Sequence, residues 1–126
     1  MTGVALSTAV KGAAGEAIAA AYLESEGWTV RDRNVRTAAG EIDLVVMRAD
    51  VIAFVEVKAW RTLPQEELAH SVNSRKRSRI VRAARLYLRS VPHGEDRRPR
   101  FDVVFVSGPE HRIVHLEDAF NGEGID

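Results

Sequence analysis

The sequence predicts one α/β domain with the element order α-β-β-β-α-β-β, a mixed sheet flanked by helices. Three observations lead there. An Ala-rich stretch of good helix formers, residues 8–26, ends at Gly27. Three short β-prone runs then follow one another between Trp28 and Ala59. Finally, an amphipathic stretch at 74–90 precedes the nearly continuous β-branched run Phe101 to Val106. A helix in that position crosses over the sheet and returns its strand beside the central hairpin. At 126 residues the chain has the size of a single domain, taken as residues 1–120 with a C-terminal tail at 121–126.

Each element has a local reason. Gly27 offers a C-cap for the first helix. Residues 28–34 are β-prone and bounded by polar ones, and the runs 41–47 and 51–59 turn on each other at Ala49-Asp50, giving an antiparallel meander. Trp60 to Glu67, containing Pro64, reads as a loop. Across 74–90, Ile80, Val81, Ala84, Tyr87 and Leu88 share one side of a helix. Residues 90–99 form a polar loop, and Phe101–Val106 is a buried strand that Arg112–Leu116 joins across the Gly108-Pro109 turn. The tail from Asn121 frays.

Composition narrows the function. Without Cys there is neither a disulfide framework nor a thiolate metal site. No run approaches the roughly 18–20 apolar residues of a membrane span, and the start lacks a basic segment ahead of an apolar one. The expectation is a cytoplasmic protein without a membrane partner. The formal net charge is zero, yet Leu68 to Gly94 holds no acidic residue while Arg75, Lys76, Arg77, Arg79, Arg82, Arg85 and Arg89 are all basic. A neutral total therefore hides a basic segment.

The chemistry centres on Gly40-Glu41-Ile42-Asp43-Leu44-Val45-Val46 and Phe54-Val55-Glu56-Val57-Lys58. A register that pairs Arg48 with Val51 also pairs Asp43 with Glu56 and Glu41 with Lys58, with all four on one face by period-2 alternation. Two opposed carboxylates cost roughly 0.2–1 kcal/mol in an exposed sheet and more when half buried. A divalent cation between them turns the defect into a site, since Mg²⁺ takes one or two carboxylates plus waters and substrate phosphate. Lys58 would project beside it and hold an attacking water or a phosphate oxygen. The chain has fifteen Arg and only three Lys, so a Lys at 58 is consistent with a compact, tunable charge. The alternative is a solvated polar face, against which the alternation of Ile42, Leu44 and Val46 with the acids speaks.

Glu16 shares a helical stripe with Ala13, Ala20 and Leu23. It is either a third acid over the metal or a solubilising carboxylate like Glu24 and Glu26. On the second helix Arg75, Arg79, Arg82, Arg85 and Arg89 occupy about a third of the circumference. This ridge fits a nucleic-acid backbone, a solvated face or an acidic protein partner. Arg61 could add a phosphate contact, and Trp60 either a stacking surface or packing. Asp102 is read as structural, paired with Arg100 or a basic helix residue, and His70, His93, His111 and His115 show no ligand spacing.

The spacing Asp43-x₁₂-Glu56-x-Lys58 resembles the signature of the PD-(D/E)xK nuclease superfamily, with Ile42 where a Pro commonly precedes the Asp. More narrowly, Gly15-Glu16, Tyr22-Leu23, Gly40–Leu44, Phe54–Lys58, Lys76 and Ala84-x-x-Tyr87-Leu88 are similar to the YraN-type family of uncharacterised, endonuclease-like proteins. That resemblance implies a restriction-endonuclease-like αβββαβ core and a kinship with archaeal Holliday junction resolvases. It implies Glu16, Asp43, Glu56 and Lys58 as catalytic residues; the residues themselves suggest Asp43 and Glu56 as holders of Mg²⁺ or Mn²⁺, with Glu41 in support, holding Lys58 or shaping the acidic face. Arg61, Arg75, Lys76 and Arg79 would hold DNA, branched or single-stranded forms included, and the related resolvases act as homodimers. The family's Arg two residues past the motif Lys is Trp60 here, with Arg61 one further on. The reading expected is a DNA endonuclease; the alternative is a nucleic-acid-binding module that keeps the fold but needs a partner to cut.

Overall fold

Helix α1, Thr8–Ser25, stops where Gly27 takes a left-handed backbone, φ 93°. The Trp28 amide then donates to the Leu23 carbonyl at 3.0 Å and the Gly27 amide to the Glu24 carbonyl at 3.1 Å, the paired bonds of a Schellman stop. The strands β1 (Thr29–Arg36), β2 (Glu41–Arg48) and β3 (Val51–Trp60) follow as the expected meander, and then come α2 (Ser74–Ser90), a 3₁₀ turn at Gly94–Asp96, β4 (Arg98–Ser107) and β5 (Arg112–Phe120). This computed structural model describes residues 8–60 and 74–121, with side chains from Ala14 to Ala59 and from Ser74 to Asn121. None of the described helices is long and apolar enough to cross a membrane.

The five strands lie in the order β1-β2-β3-β4-β5. All neighbours are antiparallel except β3 and β4, which run parallel from Val51↔Arg98 to Trp60↔Ser107. A parallel neighbour needs a crossover, and α2 lies within it. The fold is therefore the predicted α/β architecture, consistent with a restriction-endonuclease-like core. The boundaries differ most at two places, for readable reasons. Strand β4 begins at Arg98, inside the segment expected to be loop, because the Arg98 amide donates to the Asp50 carbonyl at 2.7 Å and opens the parallel ladder. Strand β5 continues past Leu116 to Phe120, through a register shift, because Phe120 stacks on Phe101 at 5.2 Å.

Each face of the sheet carries its own core. On one side Ala19, Ala20 and Leu23 of α1 pack with Trp28, Leu44, Val46, Ala53, Val55, Val104 and Val106. On the other, Ile80, Val81, Ala83, Ala84 and Tyr87 of α2 pack with Val45, Ile52, Phe54, Phe101, Val103 and Phe105. The expected apolar side of α2 is thus correct, with Leu88 half-buried at its margin. Helix α1 comes unusually close to β3 at one point: a Cβ on Gly15 would stand 2.8 Å from the Ala59 Cβ. Only a residue without a side chain fits there.

Asp102, expected to be structural and paired with Arg100, is both. Its carboxylate is fully buried and accepts two bonds from Arg100, at 2.9 and 2.8 Å, one from His115 Nε2 at 2.8 Å and one from the Asp118 amide at 3.0 Å. The other imidazole nitrogen of His115 meets the Tyr22 hydroxyl at 3.1 Å, so the network ties α1 to β4 and β5. Burial alone would raise this carboxyl, but the hydrogen bonds from His115, Arg100 and Asp118 outweigh it and hold it below the ordinary range. Removing the acceptor leaves several donors buried and unpaired. Asp102→Ala should therefore cost about 3–5 kcal/mol in urea unfolding; an unchanged midpoint would mean the network contributes nothing to the fold.

Candidate active site

The site forms where β2 and β3 part. Their ladder runs from Arg48↔Val51 to Leu44↔Val55, the predicted register, and ends there. Beyond it the Val57 amide, which in a continuing ladder would find a main-chain acceptor, donates instead to Asp43 Oδ2 at 2.8 Å. Alternation also breaks at this point: Ile42 packs with the α2-side core, whereas Leu44 and Val46 belong to the α1-side core. Asp43 is therefore not one of four acids and bases aligned on a flat face. Its carboxylate fills the fork between two strands.

Groups from both layers converge on that fork. From α1, Glu16 comes within side-chain reach of Asp43 and of Asn34. Asn34 lies in β1 between the pairs Arg33↔Leu44 and Val35↔Ile42, opposite Asp43, and holds a left-handed backbone, φ 52°. On the other side Glu56, with a side chain 9% exposed, meets two ammonium groups at the same oxygen. Lys76 Nζ is 2.6 Å from Glu56 Oε2 and Lys58 Nζ is 3.6 Å from it. A cleft of about 410 Å³ opens over this cluster, lined by Gly40, Glu41, Asp43, Glu56, Lys76, Arg79 and Ile80. Gly40 keeps it narrow at one end, since a Cβ there would stand 3.4 Å from the Arg79 Cβ.

Electrostatics set the cluster apart. Burial first, then the neighbouring Glu56 and Glu16 carboxylates, push the Asp43 carboxyl up to about 7, against the pull of the Val57 hydrogen bond. Burial likewise raises Glu16, with Glu56 and Glu41 adding to it and the hydrogen bonds from Asn34 and Asp43 opposing. Burial and then the Lys76 ammonium lower Lys58, while Glu56 pulls it back. Lys76 moves the other way: burial opposes its charge, but the bond to Glu56 outweighs this and raises it. Carboxyl groups displaced toward neutrality beside a lysine displaced the same way are the mark of a site that wants another charge or a proton.

The fold thus brings Glu16, Asp43, Glu56 and Lys58 together, as the sequence suggested. Glu41 is different. It pairs with Arg36 of β1, both in the ladder and through a 3.9 Å ion contact, and its side chain is 68% exposed. It shapes the rim of the cleft and does not hold Lys58, whose carboxylate partner is Glu56. Arg75 and Arg79 are exposed on α2, whereas Lys76, grouped with them in the sequence, points to Glu56. A signal for this existed: Lys76 stands at i−4, i−7 and i−11 from Ile80, Ala83 and Tyr87 and so lies on the buried stripe. Asn34 was missed, and an Asn inside a β-prone run is its one hint, as the residue that tolerates φ > 0. Arg61 and the Trp60 side chain lie outside the described residues.

The raised Asp43 carboxyl has a consequence for stability without added metal. An Asp that titrates at about 7 when folded and near 4 when unfolded leaves the native state holding the extra proton, so folding loses stability as pH rises between those values. Asp43→Asn removes the charge and keeps an acceptor for the Val57 amide. In chelator-treated protein the variant should match wild type near pH 4 and exceed it increasingly up to pH 8, by urea midpoint. A constant difference across that range would show that Asp43 carries no such strain.

Comparison with known proteins agrees on one family. The model of the uncharacterised protein family UPF0102 matches residues 15–106. A UPF0102 protein of Azorhizobium caulinodans is 42% identical over 114 residues, covering 90% of this chain and 85% of the relative. One from Myxococcus xanthus is 42% identical over 113 residues, 87% of this chain and 88% of the relative, and one from Treponema pallidum is 42% identical over 114 residues, 86% and 90%. With its fork of acids and its five-stranded sheet, the chain belongs to the UPF0102, or YraN-type, family.

Proposed function

We propose that the protein is a cytoplasmic, metal-dependent endonuclease that hydrolyses DNA phosphodiester bonds, with branched or single-stranded DNA as candidate substrates. The observation that carries this reading is the fork itself: Asp43 and Glu56 from diverging strands at the base of a cleft, with Lys58 beside them and the basic side of α2 along its edge. The donor set fits a hard cation held loosely. Among the described residues no group of three or more His, Asp or Glu is placed to hold a metal ion, so the reading rests on a pair, and Mg²⁺ needs only one or two carboxylates, with water and phosphate completing its shell.

Asp43 and Glu56 would hold Mg²⁺ or Mn²⁺, which supplies Lewis acidity at the phosphate and a more acidic water. Glu16, joined to Asp43 and steadied by Asn34, positions the Asp43 carboxylate. Lys58 would hold the attacking water and offset charge growing on the non-bridging oxygens as the new P–O bond forms and the old one breaks. Burial and the Lys76 ammonium lower its pKa, while Glu56 opposes them. Arg75 and Arg79, exposed at the cleft end of α2, would bind flanking phosphates without reading sequence. A second reading, a DNA-binding module that needs a partner to cut, is favoured by one contact: Lys76 already occupies Glu56.

Labelled single-stranded, duplex, flap and four-way-junction DNA, each with Mg²⁺, Mn²⁺ or chelator, separates the two. The nuclease reading expects metal-dependent cutting that Asp43→Asn and Lys58→Ala reduce by at least about 10²; binding without cutting by wild type supports the module. The basic side of α2 has its own signature. Arg75→Gln and Arg79→Gln should each weaken binding alike across sequences and lower the log–log salt slope by about 1. Unchanged slopes would remove α2 from the interface.

A further inference from the structure

Glu56 carries more positive charge than one carboxylate needs. Two ammonium groups address the same oxygen, and the nearer is not the motif lysine of β3 but Lys76 of α2, at 2.6 Å against 3.6 Å. Building on the metal-dependent reading above, we infer that Lys76 is a resident cation, holding on Glu56 the oxygen that a divalent metal would take and leaving it when the metal arrives.

Three features support the exchange. Lys76 is the more exposed of the two lysines, with 35% of its side chain accessible against 19% for Lys58, and its long stem can swing without moving the helix. It lines the cleft beside Arg79, so an ammonium released from Glu56 enters the space where a phosphate would sit. The first turn of α2, Ser74-Arg75-Lys76-Arg77, holds three bases and no acid, at the helix end where the dipole disfavours positive charge. Glu56 relieves part of that mismatch, and a phosphate in the cleft would do the same. Metal and polyanion thereby help each other: the metal frees Lys76 from Glu56, and the polyanion accepts it.

The test is Mn²⁺ binding, read by electron paramagnetic resonance of free Mn²⁺ and by calorimetry, with no DNA present. Wild type is compared with Lys76→Met, Lys76→Gln, Lys58→Met and Asp43→Asn, each checked for a folded circular dichroism spectrum. Loss of a competing charge at contact distance should tighten Mn²⁺ roughly tenfold in both Lys76 variants and less in Lys58→Met, with Asp43→Asn weakening it. If wild type binds Mn²⁺ and both Lys76 variants bind it equally or more weakly, the resident-cation inference is wrong while the metal site stands. If neither wild type nor either Lys76 variant binds Mn²⁺, the inference and the metal-dependent reading fall together.

Discussion

One hydrogen bond shapes the candidate site of this molecule, the bond from the Val57 amide to the Asp43 carboxylate. It lets β2 and β3 separate after Leu44 and Val55 without leaving the Val57 donor orphaned inside the protein. The separation makes room for Glu56 and Lys58 to meet α2 and for Glu16 to reach in from α1. Had the ladder continued, Asp43 would stand on one face only, and the groups of one helix would be sealed from those of the other. The site is a place where the sheet has been opened and its two layers allowed to touch.

Much of this was legible from residues alone, because the relevant rules are local. The two-residue turn at Ala49-Asp50 and period-2 alternation yield the register of β2 and β3 without further information. The 3.6-residue period likewise gives the apolar side of α2. The fork was not legible, since alternation is a rule for continuous ladders and a side chain replacing a main-chain acceptor leaves no trace in spacing. The contact of Lys76 with Glu56 was not legible for a related reason: inside a run of bases Lys76 reads as one more phosphate contact, although its stripe is the buried one. Glu41 was assigned by extending a register that had already ended.

Two aspartates show how environment sets the direction of a carboxyl's shift. Asp102 has both oxygens matched to donors, and burial has been overcome so that its charge is held. Asp43 has one amide donor and acidic neighbours, and burial has won. The first arrangement resists any change of state; the second is poised for one. Asp102 is fully buried and Asp43 half-buried, so depth alone does not order the two shifts; the donors around Asp102 and the acids around Asp43 give them opposite signs.

The missing side chain at Gly15 reaches further than packing. Because a Cβ at 15 would stand only 2.8 Å from the Ala59 Cβ, α1 can lie this close to β3 only with glycine there, and Glu16 is the next residue along. A single methyl group at 15 would force α1 or β3 to shift, and a shift of α1 would carry Glu16 with it. The spacing of two packed layers and the position of an acid in the cluster are thus one mechanical variable. A change in either is therefore a change in both, although residue 15 has no side chain to offer the cluster.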